Sequence, residues 1–216
     1  LDMFPDNVNE QAINNNRLAA ERARQLIEDL QKVKQDASRN AELIDHAIFA
    51  AGRVLFTANK NLVRAGIADQ LNRKLNNVEE KIKTSLLYLS EDLYKLKKEY
   101  IRLWGMENRG WWLDKVLAKY DRLCEQILNL DKYVFIGAPA EKNGKKCVEL
   151  STLFEGKDIY YTLNGEEPSV RAYKYTSPIE LSRPVMVKAR VIEKGEKYPV
   201  SEKYFLYHKG IGNLQK

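Results

Sequence analysis

Glycine and proline are distributed unevenly along the 216 residues, and that asymmetry limits the folds available. Residues 1–136 hold one of six prolines and four of eleven glycines; the last 80 residues hold the other five and seven. Both residues break regular elements, so the first stretch is free to form long helices and the second is punctuated into short strands. The division falls at Gly137-Ala138-Pro139-Ala140-Glu141-Lys142-Asn143-Gly144, a stretch with little power to form either element. The expected fold is α+β in two domains. Residues 1–136 form an antiparallel bundle of three to four helices, and 137–216 a small antiparallel sandwich of the immunoglobulin or fibronectin type.

Apolar spacing in the first stretch is helical. Ala19, Ala23, Leu26, Ile27, Leu30, Val33 and Ala37 fall on one stripe, and Ile44, Ala47, Ile48, Ala51, Leu55, Ala58 and Leu62 on a second that ends near Gly66. Val78, Ile82, Leu86, Leu89, Leu93, Leu96, Tyr100 and Leu103 make a third; Leu113, Val116, Leu117, Tyr120, Leu123, Cys124, Ile127 and Leu128 make a fourth. Each stripe covers one face, which is stable only when buried against a neighbour. Asp36-Ala37-Ser38-Arg39-Asn40 offers turn residues without Gly or Pro. The heptad Ala23, Leu30, Ala37, Ile44, Ala51, Ala58 runs through that segment, so one long helix backed by two shorter ones stays open beside the four-helix arrangement.

The second stretch alternates with period two. Ile159, Tyr161 and Leu163 face one way, and Asn164-Gly165-Glu166-Glu167-Pro168 turns the chain. Pro178-Ile179-Glu180-Leu181 suits a sheet edge. Val185, Val187, Ala189 and Val191 define a strand with Lys188 and Arg190 outward, 201–207 closes the set, and Lys146 to Leu150 opens it. Five to seven strands are expected.

Charge and chemistry exclude several roles. Thirty-six basic residues against thirty acidic ones give +6, but the excess is interleaved with acids everywhere, whereas a nucleic-acid surface presents a single-sign stripe. No run approaches the roughly 18 apolar residues of a membrane span. The chain opens Leu1-Asp2-Met3-Phe4-Pro5, without an initiator Met or a basic-then-apolar signal, and so reads as trimmed from something longer. Two cysteines, Cys124 on an apolar helix face and Cys147 at a strand start, make no disulfide framework. His46 is assigned to helix packing or the surface, and no His–Cys set has metal-ligand spacing. Neither a metal nor a cofactor is expected. The pairs Glu79-Glu80 and Glu166-Glu167 lack the apolar surroundings that would raise a carboxyl pKa for acid catalysis.

The most unusual segment is Leu103-Trp104-Gly105-Met106-Glu107-Asn108-Arg109-Gly110-Trp111-Trp112-Leu113-Asp114, which gathers all three tryptophans at a helix–helix corner. Two readings compete. In one, Trp104 and Trp111 plug the gap between helices, with Arg109 paired to Glu107 or Asp114. In the other, Trp111 and Trp112, together with Tyr175, stack on sugar rings while Asn108 and Arg109 take hydroxyls.

The run Tyr100-Ile101-Arg102-Leu103-Trp104, then Glu107-Asn108-Arg109, then Trp112-Leu113-Asp114 resembles a helical region that follows the catalytic barrel in bacterial glycoside hydrolase family 20, the β-N-acetylhexosaminidases. Gly110 stands where those proteins usually carry Pro. Independently, Ile159 to Ser169, Tyr175-Thr176-Ser177-Pro178-Ile179 and Val187-Lys188-Ala189-Arg190 resemble the chitobiase/hexosaminidase C-terminal-type domain, over roughly 145–207. The first resemblance implies a family whose active site has an adjacent Asp-Glu pair and whose substrate's acetamido group is the nucleophile. No Asp precedes a Glu in this sequence, and a (β/α)₈ barrel alone takes about 250 residues. The resemblance therefore implies a non-catalytic accessory region of a secreted, periplasmic or outer-membrane-associated carbohydrate-processing protein. Its partners would be a glycan and a catalytic domain or envelope protein. A protein–protein interaction module without sugar affinity, and an enzyme with a site of unfamiliar kind, are the competing classes.

Overall fold

The computed structural model describes residues 9–73, 78–107 and 110–206. Two compact units divide the chain, Leu1–Asn129 and Leu130–Lys216.

The first unit contains four helices: α1 (Glu10–Asp36), α2 (Ala41–Arg73), α3 (Val78–Glu107) and α4 (Leu113–Leu128). Asn9 caps α1, its side-chain oxygen accepting the Ala12 N–H at 2.7 Å. The question of one helix or two is settled by Asn40, whose φ of 56° is left-handed and ends any continuous helix. Asn tolerates that conformation better than most residues. The second helix does not end near Gly66 but continues to Arg73. Burial of Ile67 just beyond the glycine outweighs the roughly 1 kcal/mol a helical Gly costs.

Consecutive helices run antiparallel. Between α1 and α2, Asn16 meets Asn61 and Arg24 meets Asn59, while Lys34 meets Asp45 close to the turn. Phe49 contacts Tyr100 across α2 and α3, and Tyr100 contacts Tyr120 across α3 and α4. The α1–α2 packing is built on small residues, Ala20 and Ala23 from one helix and Ala51 and Ala58 from the other, all buried. Without long side chains between them the two backbones can approach closely. In contrast α3 buries Ile82, Leu86, Leu89, Leu93 and Leu103, matching the third stripe. A buried carboxylate, Asp45, joins three helices by bonding Lys34 of α1 and Arg102 of α3, the latter at 2.9 Å.

The second unit starts earlier than the glycine and proline pattern indicates. Leu130–Lys132 form a 3₁₀ turn, and β1 (Val134–Ile136) pairs with β4 (Leu150–Thr152). Residues 130–136 therefore belong with the strands. Nor is 137–144 without regular structure. Ala140–Lys142 forms β2, which turns through Asn143-Gly144 into β3 (Lys145–Val148). Both turn residues have positive φ, 51° and 74°, as a two-residue type I′ hairpin requires.

The remaining strands are β5 (Ile159–Thr162), β6 (Tyr173–Lys174), β7 (Ile179–Glu180), β8 (Val185–Glu193), β9 (Glu196–Lys197) and β10 (Ser201–Phe205). Among the described residues ten strands form where five to seven were expected, because the added ones are only two or three residues long. One sheet has the order β10-β8-β5-β6, with β9 folded back on β8; β1-β4 and β2-β3-β7 provide the other pairings. All pair antiparallel, and β7 lies at an edge as its flanking proline requires. Val134 and Val148 meet Val187, Ala189 and Val191 in one sandwich core. Lys188 faces outward and pairs with Glu202 at 3.2 Å. Arg190 faces the same way but is buried, because the loop after β5 folds over it and brings Glu167 to 3.0 Å.

Candidate functional site

The tryptophan corner is shaped by the end of α3 and the start of α4. Trp112 sits immediately before α4 with a left-handed φ of 67° and gives the helix no side-chain cap. A non-glycine residue there carries strain, which the local turn imposes. Trp111 is 75% exposed and Trp112 63% exposed. Lys115 Nζ lies 4.0 Å from the Trp112 ring centroid, a cation–π contact that occupies one indole face.

The plug reading is thereby corrected in half. Trp104 is half-buried and stacks at 5.7 Å on Tyr100, which also touches Phe49 and Tyr120. That aromatic group supplies the interior packing area, so Trp111 has no gap to fill and projects into solvent. Asn108 and Arg109 lie outside the described residues, as does any pairing of Arg109.

Tyr175 belongs to the second unit. Its N–H donates to Ile159 O at 2.8 Å, and its half-buried ring meets Tyr161 edge-on at 6.4 Å. Beside it Tyr173, 67% exposed, lies 5.6 Å from Tyr161. The register Tyr161↔Tyr173 puts all three rings on one face at the sheet edge. Burial pushes the Tyr161 hydroxyl pKa upward, helped by Tyr173 and Tyr175. Only Tyr175 stands out from the sequence. Tyr173 follows from alternation once β6 is known to pair with β5, but the loop from 163 to 172 hides that pairing. The structure brings Trp111 together with Trp112, and Tyr175 together with Tyr173, in two different units.

Among the described residues the ionisable groups give no acid-catalyst pattern. Asp45 has its carboxyl pKa lowered, first by the Lys34 hydrogen bond, against the opposing effect of burial, with Arg102 assisting. A carboxyl that must donate a proton near neutrality needs the opposite shift. Arg102 is held upward, first by Glu99 and then by Asp45. His46 Nε2 lies 2.9 Å from Glu107 Oε1 without hydrogen-bond alignment. Glu167 binds Arg190 from an exposed turn. Cys124 and Cys147 are unbonded thiols, and burial raises the Cys124 pKa, with Asp121 adding to it. Among the described residues no group of three or more His, Cys, Asp or Glu could hold a metal ion. No described helix is long and apolar enough to cross a membrane.

Residues 138–202 match the family described as the Chitobiase/beta-hexosaminidase C-terminal domain. The match lies within the sandwich, from just before β2 into the start of β10. It bears out the resemblance of the second stretch, and a C-terminal accessory domain of that type is not itself the catalytic unit of a glycosidase-like protein. Comparison with curated proteins gives no match.

Proposed function

We propose that the chain is a non-catalytic accessory region of a secreted, periplasmic or outer-membrane-associated carbohydrate-processing protein. In this reading the sandwich is a spacer and glycan-contact module, and the helical unit docks on a catalytic domain or an envelope protein. The match over 138–202 carries the proposal. Glycan contact is supported by the solvent-facing indoles of Trp111 and Trp112 and by the ring of Tyr173 beside Tyr175. Flat apolar faces that remain in water stack on the C–H patches of a sugar, and an adjacent polar group can take its hydroxyls. Asn108 and Arg109 are proposed for the latter role from the sequence alone.

Isothermal titration against N-acetylglucosamine oligomers, host glycans and plant polysaccharides tests the sugar arm. Binding that weakens in Trp112→Ala or Tyr173→Ala supports it. No heat with any of these ligands removes it and leaves docking alone. Turnover of nitrophenyl glycosides by this chain would overturn the non-catalytic reading. Location is checked by immunoblot of fractionated cells, where an exclusively cytoplasmic signal contradicts the proposal.

A second reading, a protein-interaction module with no sugar affinity, has its own support. Leu87, Tyr94 and Ile101 of α3 are all exposed and recur at heptad spacing. Such a stripe suits a partner helix. Pull-down of a stable complex, with silence in every glycan titration, would favour it.

A further inference from the structure

Between α2, α3 and α4 runs a groove of about 410 Å³, within the roughly 300–1,000 Å³ typical of small-molecule sites. Its apolar surface includes Phe56 of α2, Leu93 of α3 and Leu123 of α4. All three are buried residues of the helical unit. Two cations also line it, Arg53 from α2 and Lys119 from α4, and no acidic residue does. Among the described residues neither cation forms an ion pair. Asp121, the acid that follows Tyr120 on α4, is held by Lys97. Within the same unit Lys34, Lys83, Lys95, Lys97 and Arg102 each have a carboxylate partner.

We propose that this groove binds a small amphiphilic anion, a single carboxylate or sulfonate on an aliphatic or aromatic body. Arg53, Lys119 and Tyr120 all line this groove. The anionic head is therefore placed between the Arg53 guanidinium and Lys119, beside the Tyr120 ring. A guanidinium presents two parallel N–H groups to a carboxylate, so the head has a defined orientation. The body lies over Phe56, Leu93 and Leu123, where each buried methylene adds favourable transfer energy. A neutral ligand would leave both cations unmatched, and a cationic one would be repelled. The site is independent of any sugar contact, since none of its lining residues belongs to the tryptophan corner or to the sandwich.

Titration of the full chain with sodium decanoate, below its micelle concentration, tests this. Decyltrimethylammonium, with the same tail and the opposite charge, serves as control. Saturable binding of one decanoate per chain is expected, with no saturable binding of the cationic analogue. In Arg53→Gln/Lys119→Gln decanoate affinity should fall about tenfold or more, the loss of hydrogen bonds to a charged group. Both residues are exposed, so an unchanged far-ultraviolet dichroism spectrum should accompany that loss. Equal binding of the two detergents, no saturable decanoate binding, or wild-type affinity in the folded double variant would each overturn the proposal.

Discussion

The two units shelter their apolar residues by different means. In the sandwich, Val134, Val148, Val187, Ala189 and Val191 are wholly removed from solvent, and strands from both layers share them. In the helical unit the buried set includes four alanines between α1 and α2, while Leu26, Val33, Leu87 and Tyr94 stay exposed. A strand offers one face in every two residues and closes it completely against the facing layer. A helix packed against its neighbour along an alanine seam leaves the flanks of its stripe uncovered. The difference is one of degree, since Ile82 and Ile127 of the helical unit are as fully buried and the sandwich leaves Tyr173 and Tyr204 exposed.

Substituting the centre of the sandwich should break the comparison most severely. Val187→Asp puts a carboxylate at a position with no solvent exposure, a change expected to cost more than about 4 kcal/mol. Urea unfolding followed by near-ultraviolet dichroism should show loss of the sandwich signal, while the far-ultraviolet helix signal persists. Loss of both together would mean the units do not fold separately.

The alanine seam comes next. Ala58→Leu adds volume where Ala58 is 2% exposed, and overpacking of that kind costs about 1–3 kcal/mol. Leu26→Ala on the exposed flank should stay within about 0.5 kcal/mol. A large cost for Leu26→Ala in the urea midpoint would show that the flank is covered in solution.

Asp45 sharpens the comparison by pH. Its pKa in the folded chain is depressed below the ordinary 3.8, so its contribution is fully present above that value and is lost as pH falls through the depressed one. Lys34 and Arg102 are 39% and 44% exposed at their side chains, so screening limits Asp45→Asn to about 1–2 kcal/mol at neutral pH. Thermal melts from pH 6 to 2 should show a shallower acid slope in the variant than in the parent. Parallel slopes would mean the triad contributes nothing.

What the sequence revealed, and what it concealed, follows the range of the interactions involved. The stripe from Ile82 to Leu103 and the alternation from Val185 to Val191 are local patterns, and both appear as read. Burial of Arg190 depends on Glu167, 23 residues away, and the pairing of β1 with β4 joins residues 14 to 18 apart. No periodicity reports such contacts. Asn143-Gly144 is local by contrast: it carries the two-residue hairpin signal itself, and the surrounding Gly and Pro mask it. For the candidate site, residue type identified Trp111 and Trp112, but exposure was decided by Tyr100 and Trp104 filling the interior.

The smallest expected effect discriminates best between the two roles of that corner. The plug reading buries Trp104 and Trp111; were Trp112 held by packing in the same way, Trp112→Ala and Trp112→Gly would each cost about 3–5 kcal/mol, and glycine would be the worse of the two. The φ of 67° predicts the reverse order. Alanine keeps the left-handed strain and loses the Lys115 contact, whereas glycine loses the contact and relieves the strain. Trp112→Gly should therefore be the more stable variant by about 1 kcal/mol, measured as a difference in urea midpoint. Both variants should weaken glycan binding equally, because the indole is gone from each. A Trp112→Gly variant that is the more stable of the two and yet binds glycan no better than Trp112→Ala would assign the indole to contact outside the protein.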